Sequence, residues 1–356
     1  MEDRRSVSLD ALRGIAALAV AVPHFFLFRE SGGDITEFIS ILAVEVFFVL
    51  SGFVLAPQLR HCWDVGGRDV LVFYCRRWVR TLPPYFIILT CMAIVTGYLW
   101  SRDFFEYAFF VRNLTSIKER GEFFLPAWSL AVEESFYLIF PIYILAAKRL
   151  GATLPAAAIG FIAGCFAIKT LIAVLAPELL VDARRIVVFR VDAICFGVVL
   201  HGLMRHRQQI ASPLWGLGIF LMTACALLAS YTAAAGHREI PFMISASLSG
   251  CALIVLALWF EETIRKHMVL ARIATFLAAT SYTVYLSHML ILLLMTGSTL
   301  WLPLQFVVYL SATLAFAAVF YRFIERPLLA SRPRYHSRPV PAPDLGAPLP
   351  QPHRHS

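Results

Sequence analysis

Apolar stretches of about twenty residues recur along almost the whole chain, at 8–28, 35–57, 79–99, 126–147, 154–174, 186–204, 213–231, 241–260, 272–296 and 302–324. One α-helical crossing of a bilayer needs roughly 20 such residues. Inside lipid every backbone amide must be satisfied within its own segment, so a chain written this way folds as a helical membrane bundle. The expected fold is all-α, a polytopic bundle of about ten transmembrane helices. Charged residues make up only 15% of the chain, against roughly 25% in soluble domains. The first stretch contains Ala19-Val20-Ala21, which imitates a cleavage site. Pro23-His24-Phe25-Phe26 continues the apolar run, so the stretch reads as an anchor.

Loop charges set the expected orientation. With the N-terminus inside, lysines and arginines number seventeen in the cytosolic loops and eight in the outer ones, and basic loops stay on the cytosolic side. Both termini are therefore expected in the cytosol. The net charge of +8 follows from that bias and points to membrane lipids, not nucleic acid, as the surroundings. The seven cysteines lie singly, mostly within spans, so neither a disulfide framework nor a metal site is indicated. Residues 1–330 read as one membrane domain. From Ser331 the chain turns proline-rich, and 331–356 reads as a disordered cytosolic tail. The outer loop at about 100–125 mixes charges with aromatics and has room for a short interfacial helix.

Ionisable residues inside spans are costly and usually face a polar cavity. On the first span Arg13 and His24 lie eleven residues apart. Eleven steps of a helix return to within about 20° of the starting face and rise roughly 16 Å. A fixed cation near one bilayer surface thus shares a face with a deeper imidazole, and Asp10 lies close to the same stripe. On the second span Glu45 matches His24 in depth, and a carboxylate beside an imidazole selects its tautomer. Ser51-Gly52 below it lets helices approach closely, with substrate contact as the second reading. The fourth span opens with Glu133-Glu134 followed by Tyr137. Adjacent helical residues diverge by 100°, so one of these carboxylates is expected to face a cavity.

Arg190 and Asp192 form a further buried-looking pair on the sixth span, and a structural ion pair is the alternative reading there. On the ninth, Tyr282, Tyr285 and His288 follow at three-residue steps and drift slowly around one face. His288 reads either as a structural hydrogen-bonding residue or as part of the chemistry. At the inner edge of the third span, Arg77 and Arg80 share a face beside Trp78. Guanidinium forks hold phosphates bidentately, which suits a nucleotide-bearing donor; ordinary cytosolic charge bias is the alternative.

Seven segments resemble the acyltransferase-3 family of integral membrane acyltransferases, in family order. They are Leu9-Asp-Ala-Leu-Arg13-Gly with His24, Phe47-Phe-Val-Leu-Ser-Gly-Phe53, Arg77-Trp-Val-Arg80 before Leu82-Pro83, Trp128-Ser-Leu-Ala-Val-Glu133 with Phe136-Tyr137, Arg190-Val-Asp-Ala-Ile-Cys-Phe-Gly197, Ser281-Tyr-Thr-Val-Tyr-Leu-Ser-His288 and Glu325-Arg-Pro327. The resemblance implies a multi-pass protein of the bacterial cytoplasmic membrane. It implies transfer of an acyl group, usually acetyl, from cytosolic acyl-coenzyme A to a hydroxyl of a carbohydrate, glycan or lipid-linked sugar. Acyl-coenzyme A would be a co-substrate, with no permanently bound cofactor. Some relatives append a hydrolase-like domain; this chain reads as the standalone form.

An acceptor hydroxyl is a poor nucleophile until a base removes its proton, a role an imidazole can take near neutral pH. His24 is expected to be that base, with Glu45 or Glu133 orienting it or stabilising its protonated form. Arg13, Arg77 and Arg80 would hold the donor's phosphates. Asp10, Ser51, Tyr137, Arg190, Asp192, Tyr285 and His288 are the candidate substrate-pocket residues. A covalent acyl-His24 intermediate is the other chemical route. The rival class is a transporter or exporter of a glycan or lipid, in which the same buried charges bind substrate or relay protons. A non-enzymatic scaffold would have little use for them.

Overall fold

A computed structural model describes residues 6–116, 122–180, 183–205, 213–232 and 239–335. The architecture is all-helical: α1 (Val7–Phe28), α2 (Asp34–Val65), α3 (Arg68–Thr96), the short α4 (Arg102–Ala108), α5 (Ala127–Arg149), α6 (Leu154–Leu175), α7 (Ala193–Arg205), α8 (Pro213–Thr232), α9 (Glu239–Trp259), the short α10 (Glu261–Lys266), α11 (Met268–Leu294), α12 (Leu302–Phe320) and α13 (Arg326–Ala330). Among the described residues nine helical segments are long and apolar enough to cross a membrane, and α8 adds a shorter apolar stretch, Gly216–Ser230. The protein is a polytopic helical membrane bundle. α4 occupies the loop in which a short helix was expected.

Two helices run beyond the expected spans. α2 continues to Val65 instead of ending at 57, and α3 begins at Arg68 instead of 79. The added turns carry Gln58, Arg60, His61, Asp64, Asp69 and Arg76, which are too polar for a lipid crossing but well able to form helix. The sixth span departs the other way. It enters as a 3-10 turn at Val187–Phe189, breaks at Arg190–Asp192, and becomes α-helical only from Ala193. Non-helical backbone at membrane depth survives where protein buries it, and Arg190, Val191 and Asp192 are all buried.

Close crossings tie the bundle together. A Cβ on Gly52 of α2 would stand 1.8 Å from the Ile194 carbonyl oxygen, and one on Gly197 of α7 would stand 1.9 Å from that of Val49. Ser51-Gly52 is thus first a packing element. On α1, a Cβ at Gly14 would fall 2.4 Å from the Leu277 Cβ, so α1 and α11 lie nearly backbone to backbone. Phe48, Leu55, Phe73, Phe136, Phe140 and Ile194 form the largest core. On α6 and α12, Val174 and Val319 point outward at 74% and 59% exposure, as a lipid-facing surface requires.

Several helix ends meet on one face of the bundle. Glu261 accepts hydrogen bonds from Ser6 Oγ (2.7 Å) and the Ser8 amide (2.8 Å) at the start of α1. Lys148 at the end of α5 donates to the Trp63 carbonyl of α2, and Arg76 of α3 donates to the Pro333 carbonyl at 2.7 Å. Both ends of the described chain therefore lie on this face, called inner below. Residues 332–335 pack against α2 and α3; the remaining part of the expected tail, 336–356, lies outside the described residues.

Candidate active site

Two cavities penetrate the bundle, one above the other. The outer one, of about 360 Å³, is lined by His24, Glu37, Glu45, Trp128, Arg184, Arg185, Tyr285 and Met289, among others. The inner one is narrower, about 70 Å³, and is lined by Arg13, Ser51, Arg77, Arg80, Thr81, Glu133, Tyr137 and Tyr282. Val44 and Tyr285 line both and form the wall between them. α1 contributes Arg13 to the inner space and His24 to the outer one, as their shared face predicts.

The Gly14 crossing explains what His24 touches. From Gly14 to His24 is ten residues up α1, and from Leu277 to His288 is eleven up α11. Two helices in contact at one level and running the same way stay level about 15 Å higher. His24 Nδ1 lies 2.9 Å from His288 Nε2, and the rings stack with centroids 5.1 Å apart. His288 is fully buried, and its Nδ1 sits 2.7 Å from the Tyr285 carbonyl and 3.2 Å from that of Val284. A carbonyl can only accept, so His288 Nδ1 carries the hydrogen and its Nε2 is the acceptor. His24 must then donate from Nδ1, which leaves its Nε2 with the lone pair. Two carbonyls of α11 thus set the tautomer of a ring on α1.

The carboxylates expected to orient His24 go elsewhere. Glu45 lines the outer cavity, but its hydrogen bonds run to Arg190 and, at 3.4 Å, to Ser247. Both oxygens of Glu133 are taken in the inner cavity, by Ser51 Oγ at 2.9 Å and the Tyr137 hydroxyl at 2.8 Å. Among the described residues His288 holds the place at His24 that these carboxylates were expected to hold. Of the adjacent pair only Glu133 faces the cavity; Glu134 is buried against Thr81 Oγ1 at 2.6 Å.

Arg190 and Asp192 do not pair with each other. Arg190 takes Glu45, while Lys169 of α6 donates to both oxygens of Asp192 at 2.8 Å. All four residues are at most 2% exposed. The lone lysine in the apolar run 154–174 was the sequence signal for this network. Asp10 is buried at the start of α1 and, like Arg190, Asp192 and His288, lines neither cavity. Tyr285 hydrogen-bonds Ser129 through its hydroxyl, at 2.5 Å, in the dividing wall. At the outer mouth Arg184 pairs with Glu37 at 2.7 Å, and Arg185 pairs with Glu122.

Fixed cations thus lie below, an imidazole with a free lone pair lies above, and Val44 and Tyr285 stand between them. The acyltransferase-3 family, described as an acyltransferase domain, matches residues 6–322. The chain belongs to the acyltransferase-3 family. The peptidoglycan O-acetyltransferase OatA of Listeria monocytogenes is 29% identical over 155 residues, 39% of this chain and 24% of that protein. A putative O-acetyltransferase of Staphylococcus aureus strain COL is 31% identical over 153 residues, 38% of this chain and 24% of its own. The O-acetyltransferase OatA of Staphylococcus aureus strain NCTC 8325 is 29% identical over the same length and coverage. The similarity to these relatives thus spans about a quarter of their length, at 24%. No solved structure matches the chain. The two cavities lie within the residues that the family matches.

Proposed function

We propose that this membrane acyltransferase moves an acetyl group from acetyl-coenzyme A, admitted at the inner, cytosolic face, to a hydroxyl of an envelope glycan or lipid-linked sugar held in the outer cavity. The observation that carries the reading is the shared wall of Val44 and Tyr285: cations lie on one side of it and the lone-pair nitrogen of His24 on the other. Arg13, Arg77 and Arg80 would hold the donor's phosphates, leaving its pantetheine arm to reach past Tyr285. Trp128 and Tyr285 offer ring faces, and Glu37 and Arg184 offer polar groups, to a hydroxyl-rich acceptor. The O-acetyltransferase names of the relatives support an oxygen acceptor and an acetyl group.

His24 Nε2 would take the proton from the acceptor hydroxyl as that oxygen attacks the thioester carbonyl. The carbon–sulfur bond then breaks, and the departing thiolate recovers the proton from His24. Loss of a general base costs on the order of 10²–10⁴ in rate. In nanodisc-purified protein, thiol release from acetyl-coenzyme A should rise on addition of acceptor oligosaccharides and fall by that factor in His24→Gln. Near wild-type turnover in folded His24→Gln would make the histidine structural. Transport of the sugar without any thiol release would replace the enzyme reading with an exporter.

A further inference from the structure

The inner mouth carries more guanidinium groups than the donor reading has used. Arg76 of α3 stands one residue before Arg77, and Arg332 lies in the extended segment after α13, beyond the residues that match the family. Arg332 is within electrostatic reach of Arg76, Arg77 and Arg80, and Arg80 is within reach of Arg13. Among the described residues none of these five arginines forms an ion pair.

Among the described residues Nε of Arg76 and of Arg77 is buried with no hydrogen-bond partner, as it is also on the ion-paired Arg190, and Arg332 stands apart in leaving both Nε and Nη2 unfilled. A buried donor left unmet is expensive, and a charged one more so. Burial pushes the Arg332 guanidinium down to about 9, Arg80, Arg77 and Arg76 push it the same way, and Glu325 only partly opposes them. Cations gathered against their own repulsion, with donors unfilled, describe a receptor for a polyanion.

The segment bearing Arg332 is held in place by its own contacts. The Pro333 carbonyl accepts from Arg76 Nη1 at 2.7 Å, and the Tyr335 ring lies 5.1 Å from the Arg76 guanidinium and 4.6 Å from the His61 ring. The Tyr335 hydroxyl donates to Gln58 Oε1 at 3.4 Å, and the same oxygen accepts from Arg77 Nη2 at 2.7 Å. Tyr335 and Arg77 thus share one acceptor. That places the strap at the donor arginines and not merely near them.

We propose that residues 332–335 are a strap that completes a phosphate-binding site, with Arg332 and Arg76 joining Arg77 to hold the phosphate groups of the nucleotide-bearing donor. The proposal rests on the donor reading given above. Phosphate oxygens could also come from an anionic lipid headgroup at this depth, and the experiment separates the two sources.

The test uses the full chain in nanodiscs, with coenzyme A and inorganic pyrophosphate as probes in calorimetry. Arg332→Gln should weaken coenzyme A binding about ten- to hundredfold, as expected for lost charge-assisted hydrogen bonds. It should raise the donor KM in parallel and leave kcat nearly unchanged, and Arg332→Lys should restore part of the loss. Tyr335→Ala, which releases the strap but keeps every charge, should weaken binding about tenfold. If Arg77→Gln weakens binding while Arg332→Gln does not, the donor site stands and the strap proposal falls. If coenzyme A and pyrophosphate fail to bind the wild type at all, both fall. Tighter binding in Tyr335→Ala would mean that the strap covers the site instead of completing it. Loss of retained phosphatidylglycerol in native mass spectrometry of Arg332→Gln, with coenzyme A affinity unchanged, would give the guanidinium groups to lipid and overturn the donor assignment.

Discussion

His288 gives the sharpest test of the chemistry, because its predicted role is narrow: it accepts one hydrogen bond and thereby selects a tautomer. His288→Leu keeps the bulk, removes the acceptor, and leaves the Nδ1 hydrogen of His24 facing an apolar group. An unmet buried donor costs about 1–3 kcal/mol. The His24 ring can escape that cost by moving its hydrogen to Nε2, which abolishes the lone pair needed for proton abstraction. At about 1.4 kcal/mol per factor of ten, the population of the productive tautomer falls about 5- to 150-fold, and kcat should fall with it. His288→Gln places an amide oxygen near the former Nε2 position and should remain within about tenfold of wild type. Two readouts are needed: thiol release from acetyl-coenzyme A for kcat, and nitrogen-15 shifts of labelled His24, which report where the hydrogen resides. A structural His288 would alter stability without moving the tautomer. Full kcat in folded His288→Leu, or equal losses in the Leu and Gln variants, would refute the argument.

Glu45→Ala should destabilise the protein instead of selectively impairing transfer. It strands the Arg190 guanidinium, a loss typically costing about 3–5 kcal/mol, and Glu45→Leu combined with Arg190→Leu should recover much of the melting temperature. A Glu45→Gln protein with unchanged melting temperature and no transfer would return Glu45 to the chemistry. At Glu261, partial burial pushes the carboxyl up, but hydrogen bonds from the Ser8 amide, Ser6 Oγ and the Val7 amide outweigh it and hold the group at about 2, below its ordinary 4.5. Its stabilisation of the α1 start is therefore complete above 4.5 and lost as pH falls from 4.5 toward 2. Wild type should melt higher than Glu261→Gln at pH 7, with the gap closing over that window, and a gap independent of pH would contradict the assignment.

The helices were legible because each hydrophobic run carries its own length signal. The polar ends were not: α2 runs on through Gln58 and Asp64 because helix formation does not stop where lipid does. The Arg13–His24 relation was legible since both sit on one helix, where 100° per residue fixes relative direction. Glu45 and His24 sit on different helices. Counting residues matched their depth, but the rotation of α2 about its axis is set by tertiary contacts such as Gly52 against Ile194, and that rotation delivers Glu45 to Arg190. For His288, three-residue steps from Tyr282 suggested a common face, but Tyr282 reaches Thr81 of α3 while His288 turns to His24 of α1. Its partner depended on the Gly14–Leu277 crossing, which a single sequence does not display. Lys169 was visible as a lone lysine, but its partner Asp192 lies in a helix break that hydrophobicity alone reads as continuous span.

Buried polar groups take three forms in this bundle, distinguished by their partners. Glu45, Arg190, Lys169 and Asp192 make two opposite-charge pairs, each hydrogen-bonded, at the junction of α2, α6 and the broken segment before α7. Such a network loses much from a deletion, as a clamp should. The arginines of the inner mouth differ in having no ion pair among the described residues, and Arg332 alone leaves two buried nitrogens unfilled. Between these sits the neutral pair of His24 and His288, in which every hydrogen-bonding position except His24 Nε2 is assigned. A donor that brought phosphates to the first unfilled set and an acceptor that brought a hydroxyl to the second would satisfy both at once. That requires a donor long enough to pass the wall at Val44 and Tyr285, a condition met by a nucleotide linked through a flexible arm to a thioester but not by a free acyl phosphate.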